Sequence, residues 1–134
     1  SQYIKRNDKA YIIDVARRCS GDYYPIPVKH SLGIDWAKWI VKAEMGLDCK
    51  KIPKNIPSGF YGRYCIMSPS NGIFKKVKIH ETLKNKIINS FKLVKEGHAV
   101  AIQQKIMIII MKFKSPKEVI ILKKLEKLIK LDIE

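Results

Sequence analysis

The chain has 134 residues, with 27 Lys+Arg against 12 Asp+Glu, a formal net charge of +15 and 46% apolar residues. That apolar share excludes a disordered polar tail, and the length suits one domain, or two small subdomains, with a real core. The longest apolar run, Ile106 to Met111, is far too short to cross a bilayer, and the polar residues 1–8 carry no secretory signal.

Ala10 to Val15 reads as a short, mostly apolar strand after the turn-like Asn7-Asp8-Lys9. The chain then turns through Ser20-Gly21-Asp22. Pro25 and Pro27 disfavour helix in the residues before them, which predicts an extended Tyr23 to Pro27. Ile34 to Leu47 has helical spacing, with Trp36, Ile40, Ala43 and Leu47 on one face and Asp35 in the first turn. Asp48 to Gly59, with Pro53 and Pro57, is the best linker. Tyr61 to Met67 and Ile73 to Ile79 read as strands around the turn Ser68-Pro69-Ser70-Asn71-Gly72. A short helix over Glu81 to Asn89 follows. Strands at Phe91 to Val94 and Ala99 to Gln103 then flank a turn at Glu96-Gly97. Ile106 to Phe113 reads as a strand buried on both faces. Ser115-Pro116-Lys117-Glu118 opens a last helix, to about Lys130, with a capping-box pattern. The fold class predicted is α+β, a mainly antiparallel sheet with flanking helices.

Most common chemistries have no signature here. Neither a Gly-x-x-x-x-Gly-Lys loop nor a Gly-x-Gly-x-x-Gly loop occurs, and His30, His80 and His98 are scattered. Cys19, Cys49 and Cys65 are odd in number and far apart, which fits neither a metal site nor a disulfide framework and suits a reducing, cytoplasmic setting. Cys19 stands beside two arginines that would lower its thiol pKa, but no base is near it in sequence. Trp36 and Trp39 fit core and flank better than a stacking platform. The basic excess is nearly all lysine: Arg6, Arg17, Arg18 and Arg63 are the only arginines. Arginine is the residue that grips bases and phosphates bidentately, so this composition favours a solvated lysine coat over a nucleic-acid surface. The lysine rows at Lys50-Lys51, Lys75-Lys76 and Lys123-Lys124 keep a small basic nucleic-acid-binding or interaction module as the alternative.

One polar block stands out, Asp14-Val15-Ala16-Arg17-Arg18-Cys19-Ser20-Gly21-Asp22. Side chains alternate along a strand, so Asp14, Ala16 and Arg18 share a face if the strand continues. A carboxylate and a guanidinium side by side suit a site that takes a cation and an anionic group together, since a carboxylate holds Mg²⁺ and Arg grips carboxylate or phosphate. The plainer alternative is an Asp14–Arg18 ion pair at a strand end.

From Tyr11 to Asp48 the sequence resembles the C-terminal part of ATP-grasp enzymes, nearest to the carboxylate–amine ligases and the carbamoyl-phosphate-synthase-like branch. That family ends a strand in an acid-x-Asn-x-Arg pattern, followed by a Gly-rich turn, a Gly-Ile/Val-Asp/Asn segment and a long helix. Asp14 stands at the acid, Arg18 at the arginine, Gly21-Asp22 in the turn, and Ser31-Leu32-Gly33-Ile34-Asp35 leads into the helix. More weakly, the rest resembles the small C-terminal subdomain of such ligases: a Gly-rich hairpin, the turn Lys95 to His98, an apolar strand and a final helix at Ser115 to Glu118. The resemblance implies the end of an ATP-grasp core over residues 1–52 and a small α+β subdomain over 53–134. It implies a catalytic, substrate-contacting Arg18, further substrate contacts at Gly21 and Asp22, and a metal ligand at Asp14. Ala16 replaces the family's asparagine ligand, and Asp14 its longer glutamate.

The family's lysine-bearing nucleotide cleft and an earlier acidic metal ligand lie upstream of this motif. The resemblance therefore implies a fragment of a longer ligase, inactive alone, whose N-terminal ATP-binding domains are its partners. ATP and Mg²⁺ would be cofactors of the whole enzyme, acting on small-molecule carboxylate and amine substrates. Such a fragment would leave a sheet edge open to homodimerisation. A scaffold or interaction domain with a decayed site is a third reading, which Ala16 invites.

Overall fold

Asn7 and Asp8 stand at φ 48° and 60°, left-handed values that Asn and Asp tolerate well. They close a tight turn between β1 (Gln2–Arg6) and β2 (Lys9–Asp14), an antiparallel pair that forms a sheet of its own. The computed structural model describes residues 2–15 and 20–134, with side chains described from residue 4 onward. The polar start of the chain is thus a strand, paired to the apolar one expected at Ala10 to Val15.

Tyr23 to Pro27 is not extended. Helix α1 (Pro25–Leu32) begins at the first proline. Pro25 and Pro27 both fall within its first turn, where a missing N–H leaves no hydrogen bond unmade and the fixed φ already suits a helix. Gly33 ends α1 at φ 68°, its N–H bonded to Lys29 O at 2.8 Å. The next helix, α2 (Trp36–Glu44), has Asp35 as its N-cap, accepting from the Lys38 N–H at 3.2 Å. Residues 48–59 form no helix or strand.

Beyond them lie β3 (Phe60–Met67), β4 (Gly72–Ile79), α3 (Glu81–Lys84), β5 (Ile87–Lys92), β6 (Ala99–Val100) and β7 (Lys105–Phe113). A 3-10 segment (Pro116–Lys124), α4 (Leu125–Leu128) and β8 (Ile129–Ile133) complete the chain. The turn between β3 and β4 does not make a hairpin, as the sequence pattern suggested. β3 belongs to an antiparallel sheet of order β3-β7-β5 and β4 to another of order β6-β4-β8. Ser68 is the only buried polar side chain among the described residues. Its N–H bonds to Gln104 O and its carbonyl accepts from Gln103, which ties the turn to the β6–β7 connection instead of to β4.

Two further expectations are corrected. The helix over Glu81 to Asn89 stops at Lys84, because Ile87 to Lys92 alternates inward and outward against β7 and so forms β5. The last helix is 3-10 for most of its length and ends at Leu128. Ile129, Leu131 and Ile133 then alternate as β8 against β4. Ser115 makes no side-chain cap; Glu118 accepts instead from Lys86 Nζ at 2.8 Å and from the Lys114 N–H at 3.1 Å.

β7 is buried from Ile106 to Met111, as its apolar run predicts. Met107, Ile109 and Met111 point with Ile66, Leu83, Phe113, Leu125 and Ile129 into the main core, which Val77, Ile79 and Leu131 close from the second sheet. Ile108 and Ile110 point the other way, and directly beside them stand Arg63, Cys65, Asn89 and Phe91. No described helix is long and apolar enough to cross a membrane.

Ile109 is fully buried at the centre of β7. Ile109→Ala should destabilise the chain by about 2–5 kcal/mol in urea unfolding; a loss below about 1 kcal/mol would mean the sheet is not packed on that face.

Candidate functional site

β2 carries the chain to the polar block. Asp14, its last residue, is exposed and opposite Gln2. Ala16, Arg17, Arg18 and Cys19 lie outside the described residues. From Ser20 the chain enters a turn in which the Tyr24 N–H donates to Gly21 O at 3.2 Å. Both central residues are left-handed, Asp22 at φ 56° and Tyr23 at φ 60°. Asp accepts this conformation readily; for a bulky Tyr it costs about 1–3 kcal/mol and persists only where surroundings impose it.

The surroundings are the β3-β7-β5 sheet. Asp22 Oδ2 accepts from Lys105 Nζ and lies 3.6 Å from Arg63 Nη2. Arg63 Nε also donates to the Asp22 backbone oxygen at 2.5 Å. The Arg63 guanidinium sits 4.2 Å from the centre of the Tyr24 ring, a cation–π contact. Tyr23 stacks on Phe91 with ring centres 4.0 Å apart and planes 7° from parallel. From α1, His30 Nε2 meets Asn89 Oδ1 at 2.8 Å and the imidazole packs on Tyr61 at 5.7 Å. Tyr61, Arg63, Asn89 and Phe91 share the sheet face that carries Ile108 and Ile110. The turn and α1 are therefore docked on one face, at several points, by side chains from β3, β5 and β7.

The hydrogen bond from Lys105 holds the Asp22 carboxyl below the usual carboxylate range; desolvation opposes it, and the charges of Lys105 and Arg63 add to it. A groove of about 640 Å³ opens beside the turn, between α1 and α2. Gly21, Asp22 and Tyr23 form one wall, and Ile26, Ile40 and Val41 contribute apolar surface. Lys29 and Asp35 line it as an ion pair at 2.7 Å. The bond from Lys29, and then that from the Lys38 N–H, hold Asp35 below its usual pKa.

Of the residues the sequence singled out, Gly21 and Asp22 are together on this groove, while Asp14 stands at the strand end that leads to it. No cluster of three His, Cys, Asp or Glu side chains fit for a metal occurs among the described residues. Asp14 offers a single exposed carboxylate with no described ion-pair partner, and that suits Mg²⁺, which takes one or two protein carboxylates and completes its shell with phosphates and water. Cys49 and Cys65 are free thiols. Arg63, Lys105, Tyr23 and Tyr24 escape a sequence reading. The one available signal is Arg63 itself, an arginine inside an apolar strand of a chain whose other cations past residue 18 are all lysines or histidines.

No protein-family model matches the chain, and neither does any curated protein. Solved structures match it. The L-amino acid ligase from Bacillus licheniformis superposes with a TM-score of 0.76 at 18% identity, over 98% of this chain and 34% of that one. Phosphoribosylglycinamide synthetase from Anaerococcus prevotii gives 0.69 at 17%, over 98% and 36%. Urea amidolyase from K. lactis gives 0.65 at 18%, over 92% and 8%. The chain thus spans about a third of the length of the first two enzymes. Identities this low speak for fold alone, and the fold is an α+β, ATP-grasp-like architecture shared with part of each of these enzymes, which is the fold that the resemblance of Tyr11 to Asp48 implied.

A carboxyl with a lowered folded-state pKa adds stability that is present above its unfolded value, near pH 4, and lost as pH falls through the folded value. Unfolding midpoints of the native chain should therefore drop as pH falls below about 4. Asp22→Asn should make that drop shallower, and equal slopes in the two proteins would remove Asp22 as the anchor.

Proposed function

We propose that this chain supplies the arginine loop and part of the metal site of an ATP-dependent carboxylate–amine ligase, and that it works joined to ATP-binding domains. The observation that carries this reading is the docked turn at Gly21-Asp22-Tyr23, fixed on a scaffold whose fold is that of part of an ATP-grasp enzyme. The turn follows Arg18 directly and lines a groove large enough for a small organic substrate.

Exposed apolar surface supports the partnership. Ile4, Tyr11, Ile12, Ile13 and Val15 on the hairpin are each more than half exposed. A two-stranded hairpin with bare apolar side chains on both faces is marginal on its own. Val41, Met45 and Leu47 at the end of α2 are also at least half exposed. ATP-binding domains laid against β1–β2 would cover the hairpin and bring nucleotide to the end of β2. Residues 1–52 then form the end of the ATP-grasp core and 53–134 the small subdomain that holds its loop in place.

In the reaction proposed, ATP phosphorylates a substrate carboxylate and an amine displaces the phosphate. Arg18 orients the carboxylate and then the acyl phosphate, with donors set in advance where negative charge develops. Gly21 and Asp22 form the wall against which the substrate rests. Asp14 would hold Mg²⁺, which supplies charge neutralisation at the phosphates.

The 134-residue chain alone should hydrolyse no ATP; hydrolysis that Arg18→Ala abolishes would overturn the division of labour. In a protein that joins this chain to its ATP-binding domains, Arg18→Ala should lower turnover about 10²–10³-fold, or about 3–4 kcal/mol of transition-state stabilisation, the usual loss for a removed oxyanion donor. Unchanged turnover there would remove Arg18 from the mechanism.

A further inference from the structure

The outer face of the β4–β8 ladder contains a charge arrangement that neither the fold nor the ligase reading uses. Along the ladder Lys76 faces Asp132 at 4.0 Å, and Lys75 reaches Glu134 at 2.8 Å. At the next outward rung the matching fails, and Lys78 stands directly opposite Lys130. Like charges across a ladder destabilise it. Neither lysine has an ion-pair partner among the described residues.

That rung opens into a cavity of about 260 Å³, lined by Lys78, Ile79, His80, Lys127, Leu128 and Lys130. Three lysines and a histidine are among the residues that line it, and no Asp or Glu is. His80 Nδ1 lies 2.9 Å from Thr82 Oγ1 and 3.3 Å from the Thr82 backbone nitrogen, so that side of the ring is engaged with α3 and Nε2 is the ring nitrogen with no described partner. The His80 N–H bonds to Leu128 O at 2.9 Å, which ties the end of β4 to α4 and keeps the donors together.

We propose that this cavity binds a compact phosphate dianion, as inorganic phosphate or as the terminal group of a phosphomonoester. Ammonium groups donate only, and a phosphate accepts on all its oxygens. A ligand of that charge converts the repulsive rung into a bridged one. An extended polyanion fits less well, because a strand of nucleic acid laid along the ladder runs onto Asp132 and Glu134. A plain lysine coat does not account for the pattern either, since the neighbouring lysines on the same ladder are each matched to an acid.

The test is a ¹H–¹⁵N NMR titration of the 134-residue chain with inorganic phosphate, at ionic strength held constant with chloride. Saturable shifts are expected at the Lys78, His80, Thr82, Lys127 and Lys130 amides. Phenyl phosphate in a second arm separates the two sources: tighter binding than inorganic phosphate assigns a monoester, weaker binding assigns the free ion. Lys130→Glu places an acid opposite Lys78. It should abolish the shifts and raise the melting temperature without phosphate, while Lys78→Gln should weaken binding and Lys117→Gln should leave it unchanged. Shifts that do not saturate, that spread over lysines generally, or that survive Lys130→Glu overturn the proposal. So does a DNA duplex that moves these amides when phosphate does not. The experiment uses neither ATP nor Arg18, so its failure and that of the ligase reading are separate events.

Discussion

A left-handed Asp22-Tyr23 turn pressed onto a sheet is the constraint on which the rest of this structure depends. Tyr23 would not hold φ 60° unaided. It is held because Asp22 bonds to Lys105 and Arg63, because Arg63 returns a bond to the Asp22 backbone, and because the Tyr23 ring lies flat on Phe91. Each contact is partly exposed and modest alone. Together they over-determine one conformation, which is the condition under which backbone strain survives at a functional loop. The polar block that begins at Asp14 is thereby tied, at its far end, to a rigid support.

The support is rigid because β7 is buried on both faces. One face forms the main core with the second sheet, and the other receives the turn and α1. A loop positioned by a packed scaffold is the common arrangement for binding and catalysis. The segments that flank the loop in sequence are built differently. The β1–β2 hairpin exposes Ile12, Ile13 and Val15, and α2 has no buried residue. The scaffold on which the loop docks is thus well packed while the segments flanking it in sequence are bare, which is what the proposed joining to ATP-binding domains requires.

Where side-chain pattern reports directly on packing, the sequence was legible. The run Ile106 to Phe113 announces a doubly buried strand, Asp35 announces the first turn of a helix, and Asp14 to Asp22 is the unusual polar block that carries the ATP-grasp resemblance. Reading failed where partners distant in sequence decide the outcome. Ile87 and Ile88 suit a helix as well as a strand until β7 is there to pair with them. Ile129 to Ile133 looks like the end of a helix until β4 supplies an edge. Pro25 and Pro27 read as breakers, but prolines in a first helical turn favour the start. Nothing local to Asp22 reveals that Arg63 and Lys105, tens of residues away, would hold its carboxylate. A docking contact of that kind has no spacing to read.

Amide hydrogen exchange at the turn tests the central claim most directly. The Tyr24 N–H bonds to Gly21 O and the Ile26 N–H to Tyr23 O, so both report on the docked conformation. A docked turn predicts that both amides are protected in the native chain and that Arg63→Gln removes their protection while the β7 amides stay protected. Native exchange at the rate of an open loop, or protection untouched by Arg63→Gln, would contradict it.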